Sequence, residues 1–181
     1  MARNAARGIG AFLTVIIFAF SCTVQVNAGW ESGLNIAAEN SAQSDKVISV
    51  DAEKAFADKV LSLVNTEREK AKVKSLGSFD ALCKAADTRA YESSVLFSHV
   101  RPDGRSCASV FSDNGLSYCF AGENLAYGFD NPEDLVAAWM NSKAHKDNIL
   151  NKNYAYAELG YYKDKNGVTY CSMLFYTPLR K

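Results

Sequence analysis

Histidine is scarce in this chain: 181 residues contain two, His99 and His145. Imidazole chemistry therefore has two places to act. There is no Cys-x-x-Cys pair, which removes the usual frame of a thiol redox centre or a zinc ribbon. There is no His-Glu-x-x-His run and no Gly-x-Ser-x-Gly elbow, so the common zinc-peptidase and α/β-hydrolase signatures are missing. Positive charge is not in excess either: 20 Lys and Arg face 20 Asp and Glu, a formal net charge of zero. Without a basic stripe, nucleic acid is excluded as the expected partner. The chain shows no internal repeat and no low-complexity tract.

One long apolar run is present, Gly8 to Phe20, "GIGAFLTVIIFAF". It falls short of the ~20 residues that span a bilayer. Arg3 and Arg7 precede it, and Val26-Asn27-Ala28 follows with small residues. This is the pattern of a secretory signal peptide over residues 1–28. The expected product is exported, periplasmic or extracellular, with no membrane span after cleavage. An uncleaved anchor is one alternative. A lipoprotein signal at Cys22 is another, although Ala19 and Phe20 suit it poorly. Residues 29–50 are mixed, largely polar and without a sustained period, so they read as a linker or N-terminal arm. A single domain is expected over 51–181.

Export changes how the cysteines are read. Cys83, Cys107, Cys119 and Cys171 lie in the domain. An even count in an exported chain suggests two disulfides, with three connectivities open. Cys107–Cys119 would close a short loop, and Cys83–Cys171 is its complement. Four reduced, buried thiols are the other reading.

Apolar spacing gives the elements. A helix is expected from Asp51, with Phe56, Val60, Leu63, Val64 and Ala71 at helical intervals. A second follows Asp80, on a less clean stripe of Leu82, Ala85, Ala86, Arg89, Ala90 and Val95. Pro102-Asp103-Gly104 marks a turn, and a short helix is expected over 106–113. "CFAGENLAYG" reads as a strand with Glu123, Leu125 and Tyr127 on one face. Asn131 caps the next helix, with Pro132 at its first position. Strands over 155–163 and 168–176 are joined by a hairpin at Asp164-Lys165-Asn166-Gly167. Helices, strand, helix and strand pair make an α+β domain with helices covering an antiparallel sheet.

Counting about 100° per residue from Ala138 carries His145 to the inner side of its helix. Glu123 sits on a core-facing strand position, where a carboxylate is costly without a partner. Glu158, in the almost uncharged stretch "YAYAELGYY", is in the same situation. Two carboxylates seeking partners and two imidazoles in turn-flanked places suggest one shared site. The alternative is local: turn caps, helix-end carbonyls and loop amides would satisfy each of them separately. Trp139, Asn124 and Asn148 read as scaffold, and Arg101 and Arg105 as solvated rim residues.

The segments "NTEREKAKVKSL", "LCKAADTRAYE", "FSHVRPDGRSC", "GENLAYG", "AAWMNSKAHKDNIL" and "AELGYY" follow one another as in bacterial members of the CAP superfamily. That superfamily takes in cysteine-rich secretory, antigen 5 and pathogenesis-related proteins, and its domain is the SCP domain. The resemblance runs from about Val60 to Tyr176. It implies an α-β-α sandwich with helices on both sides of a small antiparallel sheet, and a cleft holding two His and two Glu. Those fall here on His99, Glu123, His145 and Glu158. The order His, Glu, His, Glu departs from the His, Glu, Glu, His of eukaryotic members, and the last two assignments rest on the bacterial pattern.

The expected function is a secreted binding module. Its His/Glu cleft would take a divalent cation (zinc, else calcium or magnesium), and the resemblance adds a hydrophobic or lipid ligand or a protein ligand. One alternative is a secreted hydrolase, of peptidase type, using the same four residues, with Ser98, Ser106, Ser142 or Cys107 to be weighed as nucleophile. The other is a structural domain acting through surface contacts.

Overall fold

The computed structural model of the chain describes residues 13–18 and 39–179, with residues 13–18 and 39–50 described by backbone alone. The expected leader over 1–28 therefore lies mostly outside the described residues. Its described part, Leu13–Phe18, is a strand, β1. The remaining elements are α1 (Glu39–Lys70), α2 (Asp80–Val95), α3 (Ser109–Asp113), β2 (Tyr118–Tyr127), α4 (Pro132–Asn141), α5 (Lys143–Ile149), β3 (Tyr156–Lys163) and β4 (Thr169–Pro178).

All strands join one antiparallel sheet in the order β1-β2-β4-β3. Side chains alternate across it, so β2, β3 and β4 each serve two cores. On one side Ala121, Leu174 and Tyr176 meet Leu82, Ala85 and Ala86 of α2 and Val110 and Phe111 of α3. On the other, Ala126, Cys171, Met173, Phe175, Ala157 and Leu159 meet Val60 and Val64 of α1, Leu135 and Trp139 of α4, and Ile149 of α5. The result is the expected α+β sandwich, helices on both faces of the sheet.

Local chemistry explains the boundaries. Asn131 caps α4: its side chain accepts from the Asp134 N–H at 3.0 Å, with Pro132 at the first turn. Gly167, at φ +79°, closes the β3–β4 hairpin in the left-handed region that glycine adopts freely. Arg68, fully buried at the end of α1, donates to the carbonyls of Lys74, Ile149 and Asn151 and ties α1 to the exit of α5.

Two differences from the sequence reading stand out. The helix expected from Asp51 begins at Glu39, so half of the expected linker is helical. The helix expected to run through His145 is broken. Ser142 has extended backbone, φ −96° and ψ 119°, and a separate helix starts at Lys143. Helical phase does not carry across such a break.

The cysteine expectation also needs correction. Cys83, Cys107, Cys119 and Cys171 are all free thiols in this structure. Cys83–Cys171 is ruled out by topology: Cys171 belongs to the α1 side of the sheet, whereas Cys83 lies on α2, on the other side. Cys107 and Cys119 are unbonded too, one buried and one exposed.

Gly160 sets the spacing of the α2 layer. A Cβ there would overlap the backbone carbonyl of Ala86. Backbone cannot swing aside as a side chain can, so Gly160→Ala is expected to cost about 2–3 kcal/mol. Urea unfolding of the variant beside wild type measures it. A loss under half a kilocalorie would show that α2 can shift freely.

Candidate functional site

The site starts from alternation along β2. Glu123 points to the α2 face and Asn124, its neighbour, to the α5 face. Gly122 completes the triplet: a Cβ there would strike the Tyr154 hydroxyl.

Glu123 is 1% exposed and held from three sides. His99 Nδ1 lies 2.8 Å from Oε2. Arg89 donates through Nε to Oε1 at 2.7 Å and through a terminal nitrogen to Oε2 at 3.2 Å. The Ser172 hydroxyl donates at 3.4 Å. Burial by itself would raise the Glu123 pKa. The hydrogen bonds and charges of His99 and Arg89 outweigh it and hold the carboxyl below its ordinary value. An ionised carboxylate only accepts, so the proton of the His99 contact sits on Nδ1. The other ring nitrogen, Nε2, is buried and makes no hydrogen bond to the described residues.

The loop between α2 and α3 is a small hairpin that delivers His99. Pro102-Asp103-Gly104 turns it, with Gly104 at φ +84°. The Arg101 N–H donates to the Arg105 carbonyl at 2.8 Å, and Val100 bridges Ser106 antiparallel. The Cys107 N–H then donates to the His99 carbonyl at 2.9 Å. His99 and Cys107 are thus cross-strand neighbours at the hairpin's mouth. One ligand-type atom each from His99, Cys107 and Glu123 lie within 4.8 Å of one another, and all three residues are buried. Desolvation, then the Glu123 charge, pushes the Cys107 pKa up to about 12, so it is a thiol at neutral pH.

An ion-pair chain anchors the hairpin. Arg89 also donates to Glu92 at 2.8 Å, and Arg101 grips Glu92 and Asp113 at 2.6 Å each. Arg105 joins Asp113 and Asp103, both at 2.8 Å. Arg101 is 5% exposed, so its reading as a solvated rim residue is corrected. Its guanidinium closes a bracket between α2 and α3.

The four residues expected to converge do not share one hollow. His99 and Glu123 are joined. Glu158 lies on the same face as Glu123, but both pair across the sheet with Leu174, which stands between them. Their backbones are therefore roughly 10 Å apart, two strand spacings. Glu158 holds the start of α2 instead, accepting from the Ser78 hydroxyl at 2.5 Å and the Phe79 N–H at 2.6 Å. His145 is fully buried on the opposite side of the sheet, with its ring 6.5 Å from that of Trp139. The Asn124 amide donates to its carbonyl at 3.2 Å, and Asn148 bridges to Asn124 at 2.9 Å. The helical count from Ala138 placed it on the inner side, and it is buried there; the sheet, which lies between it and Glu123, is what separates it from His99.

The residue that sequence reasoning passed over is Arg89. Its signal was visible: a guanidinium on a stripe of buried alanines requires an acid inside the protein. Glu123 was the one acid already expected to need a cation.

Comparisons with known proteins agree with the fold. A family model for the cysteine-rich secretory protein (CAP) family matches residues 61–175, more than half of the chain. The chain belongs to that family. YkwD of Bacillus subtilis, an uncharacterized protein, is 38% identical over 109 residues, which is 59% of this chain and 42% of that protein. The B. subtilis membrane protein YlbC, also uncharacterized, is 31% identical over 64 residues, 35% of this chain and 18% of that one. The chain thus spans less than half the length of these relatives. Among solved structures, an SCP-domain extracellular protein from Bacillus anthracis aligns at TM-score 0.63 and 20% identity, over 68% of this chain and 41% of that one. An outer surface protein from Borrelia burgdorferi aligns at 0.60 and 22%, over 66% and 90%. A cysteine-rich secretory protein from Staphylococcus aureus aligns at 0.57 and 22%, over 68% and 38%. At these identities the structures show the fold.

Two expectations follow from the ion pairs. Arg89→Ala leaves the buried Glu123 charge without its main cation, and should cost about 3–5 kcal/mol in urea unfolding. A loss below ~1 kcal/mol would mean that His99 alone suffices. The second concerns acid. Glu123 has a folded pKa below its ordinary 4.5. Asp113 falls from 3.8 to about 2, held chiefly by the Arg105 hydrogen bonds against burial. A depressed carboxylate stabilises the fold above its unfolded pKa, and that stability is lost as pH falls through the folded one. Stability should therefore hold down to about pH 4.5 and fall steadily towards pH 2. Midpoints that stay constant over that window would contradict both pairings.

Proposed function

We propose that this chain is an exported CAP-domain binding module whose His99–Glu123 pair takes a divalent cation. The observation that carries the reading is the buried pair itself. The carboxylate fixes Nδ1 at 2.8 Å, and the second ring nitrogen is buried without a hydrogen-bond partner among the described residues. A carboxylate that orients an imidazole is the usual support of a histidine metal ligand. Export is supported by the leader pattern and by the extracellular or surface descriptions of the solved relatives. Among the described residues, no helix is long and apolar enough to cross a membrane.

Binding is preferred to hydrolysis because Cys107, the thiol nearest His99, remains protonated at neutral pH. His145 and Glu158 serve the scaffold in this reading. One observation favours a structural role beside it. Glu123 is already matched by Arg89, so the pair also locks α2 and the hairpin to the sheet.

Zinc at a hundred times its Kd is expected to raise wild-type stability by about 2.7 kcal/mol. His99→Ala should show no such gain. Equal thermal shifts in the two proteins would place binding elsewhere, and no shift in either would leave the structural role alone.

A further inference from the structure

We propose that the outer edge of β2 is a peptide-docking site: with the leader removed, it takes an extended, uncharged segment of a partner protein as an added antiparallel strand. The proposal shares with the cation reading only the export of the chain.

The argument begins with what covers that edge. β2 pairs with β4 on one side and with β1 on the other. The β1 register is unbroken, from Leu13 opposite Ala126 to Phe18 opposite Ala121. β1 belongs to the apolar run of the leader pattern over residues 1–28. Cleavage after Ala28 takes β1 away and leaves the outward N–H and C=O groups of β2 unpaired. An open edge of this kind is a template for another extended chain.

The chemistry of the guest follows from β2. Residues 121–126 are all buried, and the one charge among them, Glu123, is already met by Arg89 and His99. No group on this stretch calls for a charged guest. β1 itself, "LTVIIF", is uncharged and rich in the β-branched residues that suit a strand. In strand addition the main chain supplies the hydrogen bonds, and the side chains select the partner. In the β1 register one guest residue stands opposite Glu123, at the place of Ile16. Such cross-strand neighbours are about 4.5–5.5 Å apart, so the guest passes beside the His99–Glu123 pair.

A second copy of the chain fits this edge less well. α5 lies against both β1 and β2, so one face of the guest's place is already covered. A second copy would bring its own α5 over the same two strands. A lone extended segment, like β1, brings no helix.

The test uses the full chain with β1 disabled by Val15→Pro and Ile16→Pro together. Successive N–H groups of a strand point to opposite sides, so one of the two that are lost faces β2. The variant should keep its near-ultraviolet circular dichroism. In hydrogen-exchange NMR, its outward amides within residues 121–126 should exchange about tenfold or more faster than in wild type, while those bonded to β4 stay protected. A synthetic peptide of the Leu13–Phe18 sequence, flanked by lysine pairs for solubility, should bind the variant saturably and restore the protection. It should not bind wild type, whose edge is filled, and its two-proline version should bind neither. Equal exchange in wild type and variant, or a variant that does not take the peptide, would overturn the proposal. So would a variant that unfolds, since β1 would then be part of the fold and not a removable strand. Dimers of the variant in sedimentation, with the same amides protected in the absence of peptide, would assign the edge to a second copy and overturn it too. Mass spectrometry of the protein exported from a secreting bacterial host should place its N-terminus at Gly29. Retention of Leu13–Phe18 would keep the edge filled and count against the proposal in the same way.

Discussion

The buried ion pair between Arg89 and Glu123 is the constraint on which the rest of the structure depends. Neither charge is tolerable alone at 0–1% exposure, so α2 and β2 must meet in one alignment. That alignment puts Glu123 where His99 can reach it. Arg89 then extends the pattern outward through Glu92 to Arg101 and Asp113, and the surface hairpin becomes as well anchored as the core beneath it. The candidate site is thus a by-product of how the α2 layer is fastened.

This has a chemical consequence. A carboxylate matched by arginine is a poor general base and a weak anchor for a second cation. What it does well is fix the ring of a neighbouring histidine. Here that ring is His99, whose second nitrogen is buried with no hydrogen bond to the described residues. The relatives add the setting, a fold found in extracellular and surface proteins of several bacteria, without specifying a ligand.

Much of the fold was legible in the sequence, and the exceptions have physical reasons. The Asn131-Pro132 start, the Asp164–Gly167 hairpin and the inward face of β2 are local signals, readable from a few residues. The need of Glu123 for a cation was also legible, because burial of charge is a one-residue argument. The identity of that cation was not, since Arg89 is 34 positions away and only the sheet brings it near. The inward direction of His145 was legible from periodicity, but not which side of the sheet it would occupy, because that depends on how the helices pack and not on their phase. Glu158 was grouped with the site because an isolated carboxylate in an apolar strand looks alike whether it meets an imidazole or the N-terminus of a helix.

Gly122, Glu123 and Asn124 each face a different demand: room for a phenol, a guanidinium with an imidazole, and the turn that carries the second imidazole. Three consecutive positions are committed to three separate neighbours on two sides of one ribbon. An added or deleted residue there would swap every commitment at once. The hairpin tip at Asp164–Gly167 has no such duties. Evolution can lengthen or shorten this protein at its tips, whereas the middle of β2 admits only exchange in place.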